Sequence, residues 1–256
     1  VAEHLLPHTR VLSYERAGVG SSRGKGAECT KVAARLAGLL QSPPVKGQLG
    51  QPVILAGHSL GGLYARYFAA THPEDVAALV MIDTTPDDVV MPKGLLRLSY
   101  ALLWGVYLLA RTGIPQWWLR RKPDPDARPG FTEASLKALA RAHHIRAVQA
   151  ETRVLPVTQK EVAAQGLPKG IPVLCVSAGQ RPRIVRDASV PFQRYHDRLA
   201  VAGTPPFSRH HCIQAATHMS LLSNPAHAEI LGRLIIEFVQ GISQSREPAT
   251  GVEVPA

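Results

Sequence analysis

Two hydrophobic periods alternate along this chain. Nearly continuous apolar runs stand at Val53-Ile54-Leu55, at 76–83 (VAALVMID) and at 171–177 (IPVLCVS). A strand half open to water would alternate apolar with polar, so these runs predict strands buried on both faces. Arg10–Glu15 (RVLSYE) and 210–215 read as further strands. Between them apolar residues fall at helical spacing. Val32, Leu36, Leu39 and Leu40 make one face within 27–41, and helices are predicted at 60–71, 192–200 and 225–240. Ser42-Pro43-Pro44 to Gly50 reads as a loop, and His72-Pro73-Glu74 as a helix stop. Strands alternating with helices predict an α/β fold with a doubly wound, mostly parallel sheet covered on both sides.

The alternation breaks at 84–167, where helical pieces are separated by prolines, and resumes at 168. This divides the chain into a core of 1–83 and 168–241, a helical cap insertion of 84–167, and a flexible polar tail of 242–256. The most apolar stretch, Leu95–Ala110, lies in the insertion, with Trp117 and Trp118 close behind. Its uncharged run between Arg97 and Arg111 is shorter than the roughly 20 residues that cross a bilayer. It reads first as a helix over a substrate pocket lined by Trp104, Trp117 and Trp118. A lid lying on a membrane surface is the second reading, because tryptophans flanked by arginines suit an interface. A more polar helix at 134–151 is expected to form the insertion's outer layer.

Chemistry concentrates at Gly57-His58-Ser59-Leu60-Gly61, a G-x-S-x-G between a strand and a helix. The turn needs small residues because strand and helix backbones nearly touch there, and Gly57, Gly61 and Gly62 are expected to supply the clearance. It lifts the Ser59 hydroxyl above the sheet edge and aims the Leu60 amide at an attacked carbonyl oxygen. A serine hydroxyl needs a base, and the base needs an orienting carboxylate. Of 11 histidines only His218 follows the last strand directly, at the sheet end where Ser59 emerges. His58 is expected to shape the turn, and His143-His144, His196 and His210-His211 to be surface or packing residues.

With Arg16-Ala-Gly-Val-Gly-Ser-Ser22, Gly57–Gly62, Leu79–Asp83 and Thr217-His-Met219 quoted, the chain resembles the α/β-hydrolase family, in its esterase, lipase and haloperoxidase-like branch. The likeness covers both sides of the insertion. It implies an acyl-serine mechanism in which Ser59 attacks and His218 takes, then returns, the proton. In this family the acid usually follows the strand after the insertion, where the chain has Ala178-Gly179-Gln180-Arg181 and no Gly-x-x-Asp. Some branches place it at the end of the strand after the nucleophile helix, where Asp83 stands. Asp83 is preferred and Asp187 is the alternative. The bland readings are a helix cap for Asp83 and a surface ion pair with neighbouring arginines for Asp187. Glu15 stands where the family commonly has Asp, a departure expected to be minor. VAEHLL resembles the helix that follows the family's His-Gly oxyanion loop, so the chain is expected to lack its first strands and that loop.

Composition adjusts this picture modestly. The net charge is +10, but no Lys/Arg block is interleaved with aromatics, which are 5% of the chain. A solvated basic surface favouring anionic membranes or acidic substrates is therefore preferred to nucleic-acid binding. Cys29, Cys175 and Cys212 show no metal-ligand spacing and read as reduced thiols; no metal or cofactor is expected. No secretory signal opens the chain, and a cytoplasmic location is expected. The resulting expectation is a serine hydrolase of carboxylic, lipophilic esters acting on a small-molecule ester or lipid. The alternatives are a non-catalytic ligand- or lipid-binding protein of the same fold, and a cofactor-free haloperoxidase or C–C hydrolase.

Overall fold

Strands apolar on both faces need helices on both sides, and the computed structural model has that arrangement. It describes residues 1–50, 52–89, 93–114, 117, 140–181 and 189–246. Among the described residues four strands, β1 (Val53–His58), β2 (Val76–Ile82), β3 (Val173–Gln180) and β4 (Arg209–Thr217), form one sheet in the order β1-β2-β3-β4. All three ladders are parallel. The described helices are α1 (Ala2–Leu5), α2 (Cys29–Gln41), α3 (Pro43–Leu49), α4 (Leu60–Thr71), α5 (Lys93–Arg111), α6 (Ala142–Ala164), α7 (Ser189–Ala202), α8 (Ser220–Ser223) and α9 (Pro225–Arg246).

Strand β2 is the centre of the molecule, and each of its seven residues is buried. The two-residue period sends Leu79 and Met81 to one face, against Leu36 of α2, Phe68 of α4 and Tyr195 and Leu199 of α7. Ala78, Val80 and Ile82 point to the other, against Leu231, Ile235 and Phe238 of α9. Each fully buried side chain of this size is worth about 1.5–3 kcal/mol, so burial on both faces anchors the central strands. Cys29 and Cys175 are buried, and all three cysteines are free.

The structure departs from the sequence expectations at four places. Arg10–Glu15 is not a strand: it pairs with no strand among the described residues, and Leu12 and Tyr14 stay exposed, so neither a ladder nor a core supports one. Residues 43–49 form helix α3 rather than a loop. Its prolines occupy the first helical positions, where no N–H is needed, and Val45 and Leu49 pack against the core. Helix α6 runs to Ala164, well past the predicted end at 151; residues 134–139 of the predicted helix lie outside the described residues. The last helix continues to Arg246 because Ile242, 4% exposed, extends its apolar stripe into what was expected to be the tail.

Helices α5 and α6 lie between β2 and β3 in the chain and pack on each other. Tyr107 and Ala110 of α5 are buried, whereas Leu98, Leu102 and Leu109 are exposed. No described helix is long and apolar enough to cross a membrane.

Candidate active site

Parallel strands deliver their C-terminal ends to one rim, and the loops leaving that rim carry the functional side chains. Residue 59 follows β1, residue 83 follows β2 and residue 218 follows β4. Backbone hydrogen bonds stitch these exits together: Ser59 N–H donates to Ile82 O at 3.0 Å, Asp83 N–H to Val176 O at 2.7 Å, and Thr85 N–H to Ser59 O at 3.2 Å.

Ser59 sits at φ 54, ψ −124, a conformation that a non-glycine residue holds only when its surroundings impose it. They do so through glycines, though not the expected set. A Cβ on Gly57 would lie 2.5 Å from Gly61 O and 2.6 Å from Gly62 N, so strand and helix backbones touch there. A Cβ on Gly62 would meet the buried Thr84 side chain at 2.2 Å. Gly61 is the correction: nothing lies within 4 Å of a Cβ placed on it. The N–H of Leu60, first in α4, has no intrahelical acceptor and lies at the positive end of the helix dipole.

Asp83 has φ 41 and is fully buried. Its carboxylate accepts from His218 Nδ1 at 2.5 Å, from Arg181 Nη1 at 2.7 Å and Nη2 at 2.5 Å, and from the Ala178 amide at 3.1 Å. Burial alone would push this carboxyl up. The hydrogen bonds from His218, Arg181 and Ala178 with the Arg181 charge outweigh it, and the group is held well below the usual carboxylate range. An ionised Asp83 makes Nδ1 of His218 the donor, which leaves Nε2 with the lone pair that a general base needs.

His58 does more than shape the turn. Its Nε2–H donates to the backbone carbonyl of His218 at 3.1 Å, and the two rings lie 4.4 Å apart. Burial, with His218 adjacent, lowers the His58 ring to about 4, so it is a neutral brace at neutral pH. Ser59 Oγ has Thr85 Oγ1 at 3.5 Å and, among the described residues, no hydrogen bond to His218 in this conformation. The neighbouring residue's ring contact nonetheless puts the serine and the imidazole on the same patch of the rim.

The structure thus groups Ser59, Leu60, Asp83 and His218. Asp187 and Trp118 lie outside the described residues. Trp104 and Trp117 are 44% and 53% exposed, and α5 turns its Tyr107 side inward. Sequence reasoning missed Arg181, which was read only as a neighbour of Asp187. The available signal was its position directly after β3, in the stretch where an acid was sought. His143 and His144, expected to be surface or packing residues, pack against the Gly20 turn: His143 Nε2 donates to Gly20 O at 2.8 Å and His144 Nδ1 accepts from Gly20 N at 3.0 Å. With the Arg16–Glu151 ion pair at 2.7 Å, they dock the Arg16–Ser22 turn on α6.

Known proteins resemble this chain in sequence or in fold. The chain is 30% identical over 212 residues to the pimeloyl-[acyl-carrier protein] methyl ester esterase of Neisseria meningitidis, a match covering 77% of this chain and 60% of that protein. A stretch of 42 residues is 50% identical to the chloroplastic pheophytinase of Arabidopsis thaliana, 16% of this chain and 9% of the plant protein. The chain therefore spans less than two thirds of either relative. Among solved structures, a carboxylesterase of the thaumarchaeon Nitrososphaera gargenis superposes with a TM-score of 0.59 at 16% identity, covering 91% of this chain and 80% of its own. The epoxide hydrolase CorEH superposes at 0.57 and 17%, covering 88% and 80%. At such identities these structures speak for the fold alone. The model of the Alpha/beta hydrolase family matches residues 1–228, through the insertion and past the last strand, and the chain belongs to that family.

Proposed function

We propose that this chain is a serine hydrolase that cleaves carboxylic esters, with lipophilic groups among its substrates. The observation that carries the reading is the 2.5 Å hydrogen bond from His218 Nδ1 to the buried Asp83 carboxylate, on the rim where Ser59 emerges. In the first half-reaction the Ser59 hydroxyl turns from Thr85 toward His218, and its oxygen attacks the ester carbon as Nε2 takes the proton. The negative charge that develops on the carbonyl oxygen faces the Leu60 amide and the α4 dipole. Collapse breaks the bond to the alcohol, which leaves with the proton from His218. Water then repeats the sequence on the acyl-serine, releasing the acid and restoring the hydroxyl.

The Neisseria relative, named as a methyl ester esterase, supports the same bond type. The exposed apolar residues of α5, between Arg97 and Arg111 in a chain of net charge +10, favour peripheral contact with an anionic lipid surface as the route to apolar substrates.

A fluorophosphonate probe and a panel of p-nitrophenyl esters test the reaction. Wild type should label and hydrolyse, and Ser59→Ala should lose both, turnover by a factor of at least about 10⁴. Labelling that survives in Ser59→Ala ends the proposal.

A further inference from the structure

The carboxylate that holds His218 is itself held. Arg181 leaves β3 and lays the edge of its guanidinium along Asp83, with Nη1 on Oδ2 at 2.7 Å and Nη2 on Oδ1 at 2.5 Å. The arginine side chain is 8% exposed and the aspartate 0%. The Arg181 guanidinium carbon lies 4.5 Å over the ring of Phe192, in the first turn of α7. A planar fork stacked on an aromatic ring is pre-organised, and an ammonium group in its place would reach one oxygen at a time.

A carboxylate offers about four lone-pair sites. Arg181 takes two of them, the Ala178 amide a third on Oδ1 and His218 the fourth on Oδ2, so Asp83 is saturated and has no freedom to rotate. This restraint matters because the backbone of Asp83, at φ 41, stays in a sparsely populated region only if its contacts over-determine it. Charge adds a second effect. The negative carboxylate favours the imidazolium that His218 becomes when it takes the serine proton, and a guanidinium in contact with that carboxylate cancels part of its field.

We propose that Arg181 is a positioning residue for catalysis: it locks Asp83 onto His218 and, by partly neutralising the carboxylate, sets how readily His218 holds a proton. The proposal rests on the serine-hydrolase reading above. Among the described residues, His58 from the end of β1 touches the His218 ring, His196 from α7 lies within reach of the Asp83 charge, and His227 of α9 reaches Ser220 Oγ at 2.9 Å. Burial lowers His58 and His196 to about 4 each, so both are neutral where esters are assayed. Among the described residues, Asp83 is the charged group in hydrogen-bond contact with the His218 ring, and Arg181 acts on that ring through Asp83.

The test uses Arg181→Gln and Arg181→Lys. The pH dependence of kcat/KM on a p-nitrophenyl ester is measured with each, beside an NMR titration of the His218 ring that needs no turnover. Gln removes the charge, so Asp83 assists protonation of His218 more strongly. The acid limb of activity and the midpoint of the His218 ring titration should both move up by about 1 pH unit. Lys keeps the charge but not the fork: the limb should stay at its wild-type position while kcat falls by about tenfold. If Gln is too unstable to assay, Lys alone decides, since wild-type kcat in Arg181→Lys would overturn the positioning role. An unmoved midpoint in Arg181→Gln, or equal movement in both variants, would also overturn it. A midpoint that moves in a protein no fluorophosphonate labels would sink the ester-hydrolase reading, and with it a catalytic role for Arg181, leaving only its electrostatic action on His218 through Asp83. Ser59-dependent labelling with an unmoved midpoint would do the reverse.

Discussion

The two glycines of the G-x-S-x-G element are identical in the sequence and different in the structure, which makes Gly57→Ala and Gly61→Ala a matched pair. A methyl on Gly57 would sit 2.5 Å from Gly61 O, 2.6 Å from Gly61 C and 2.6 Å from Gly62 N, all backbone atoms with no rotamer to escape into. Restoring an ordinary contact of 3.4 Å requires β1 and the start of α4 to separate by about 0.9 Å. Ser59 and the Leu60 amide lie on the turn that must stretch. Overpacking of this kind costs about 1–3 kcal/mol, and the rigid backbone favours the upper part of that range. A displacement near 1 Å at a reacting group lowers its rate by about 10². Gly61→Ala meets nothing within 4 Å and replaces glycine by alanine near the start of a helix, so its stability should be unchanged or improved by up to about 1 kcal/mol. Urea unfolding gives the stabilities, and the fluorophosphonate labelling rate reports on Ser59. Wild-type stability and labelling in Gly57→Ala would refute the argument, as would equal losses in both variants.

Asp83→Asn keeps the shape but strands Arg181 as an unpaired buried charge; stability should fall by about 3–5 kcal/mol and kcat by about 10⁴, read by urea unfolding and ester hydrolysis. Acid should destabilise the fold in two stages. Unfolded histidines take protons near 6.5 whereas folded His58 and His196 hold out to about 4, so the unfolded state binds more protons and stability falls as pH drops through that window. Asp83, whose carboxyl is lowered in the fold, adds a further loss through the carboxylate range. His196→Leu should flatten the first stage in urea titrations at successive pH values, and an unchanged slope would contradict the burial argument. For the lipid contact, wild type should co-sediment with vesicles containing phosphatidylserine, and Leu98→Glu with Leu109→Glu should reduce the bound fraction several-fold at unchanged hydrolysis of a soluble ester. Binding that is equal for the double variant would remove α5 from the interface.

Whatever depended on local period was legible before any coordinates. Val76–Ile82 announced a strand buried on both faces, the strand-glycine-serine-helix order announced the turn at Ser59, and the place of His218 after the last strand announced an imidazole at the same rim. Asp83 was readable as a strand-end carboxylate and the preferred of two partners for His218, and the fold brings it into hydrogen-bond contact with that ring. Tertiary structure decided the rest. Arg10–Glu15 has the composition of a strand, but a strand exists only through a neighbour, and composition says nothing of whether one lies alongside. Gly57 and Gly61 differ only in which direction a methyl would point once strand and helix are packed. Arg181 stands 98 positions from Asp83, and no sequence period relates two charges that meet only because β2 and β3 are paired. Hydrophobic period follows from backbone geometry and repeats within a few residues, so the chain states it everywhere. A contact between distant side chains exists only after the sheet has brought them together, so the fold alone states it.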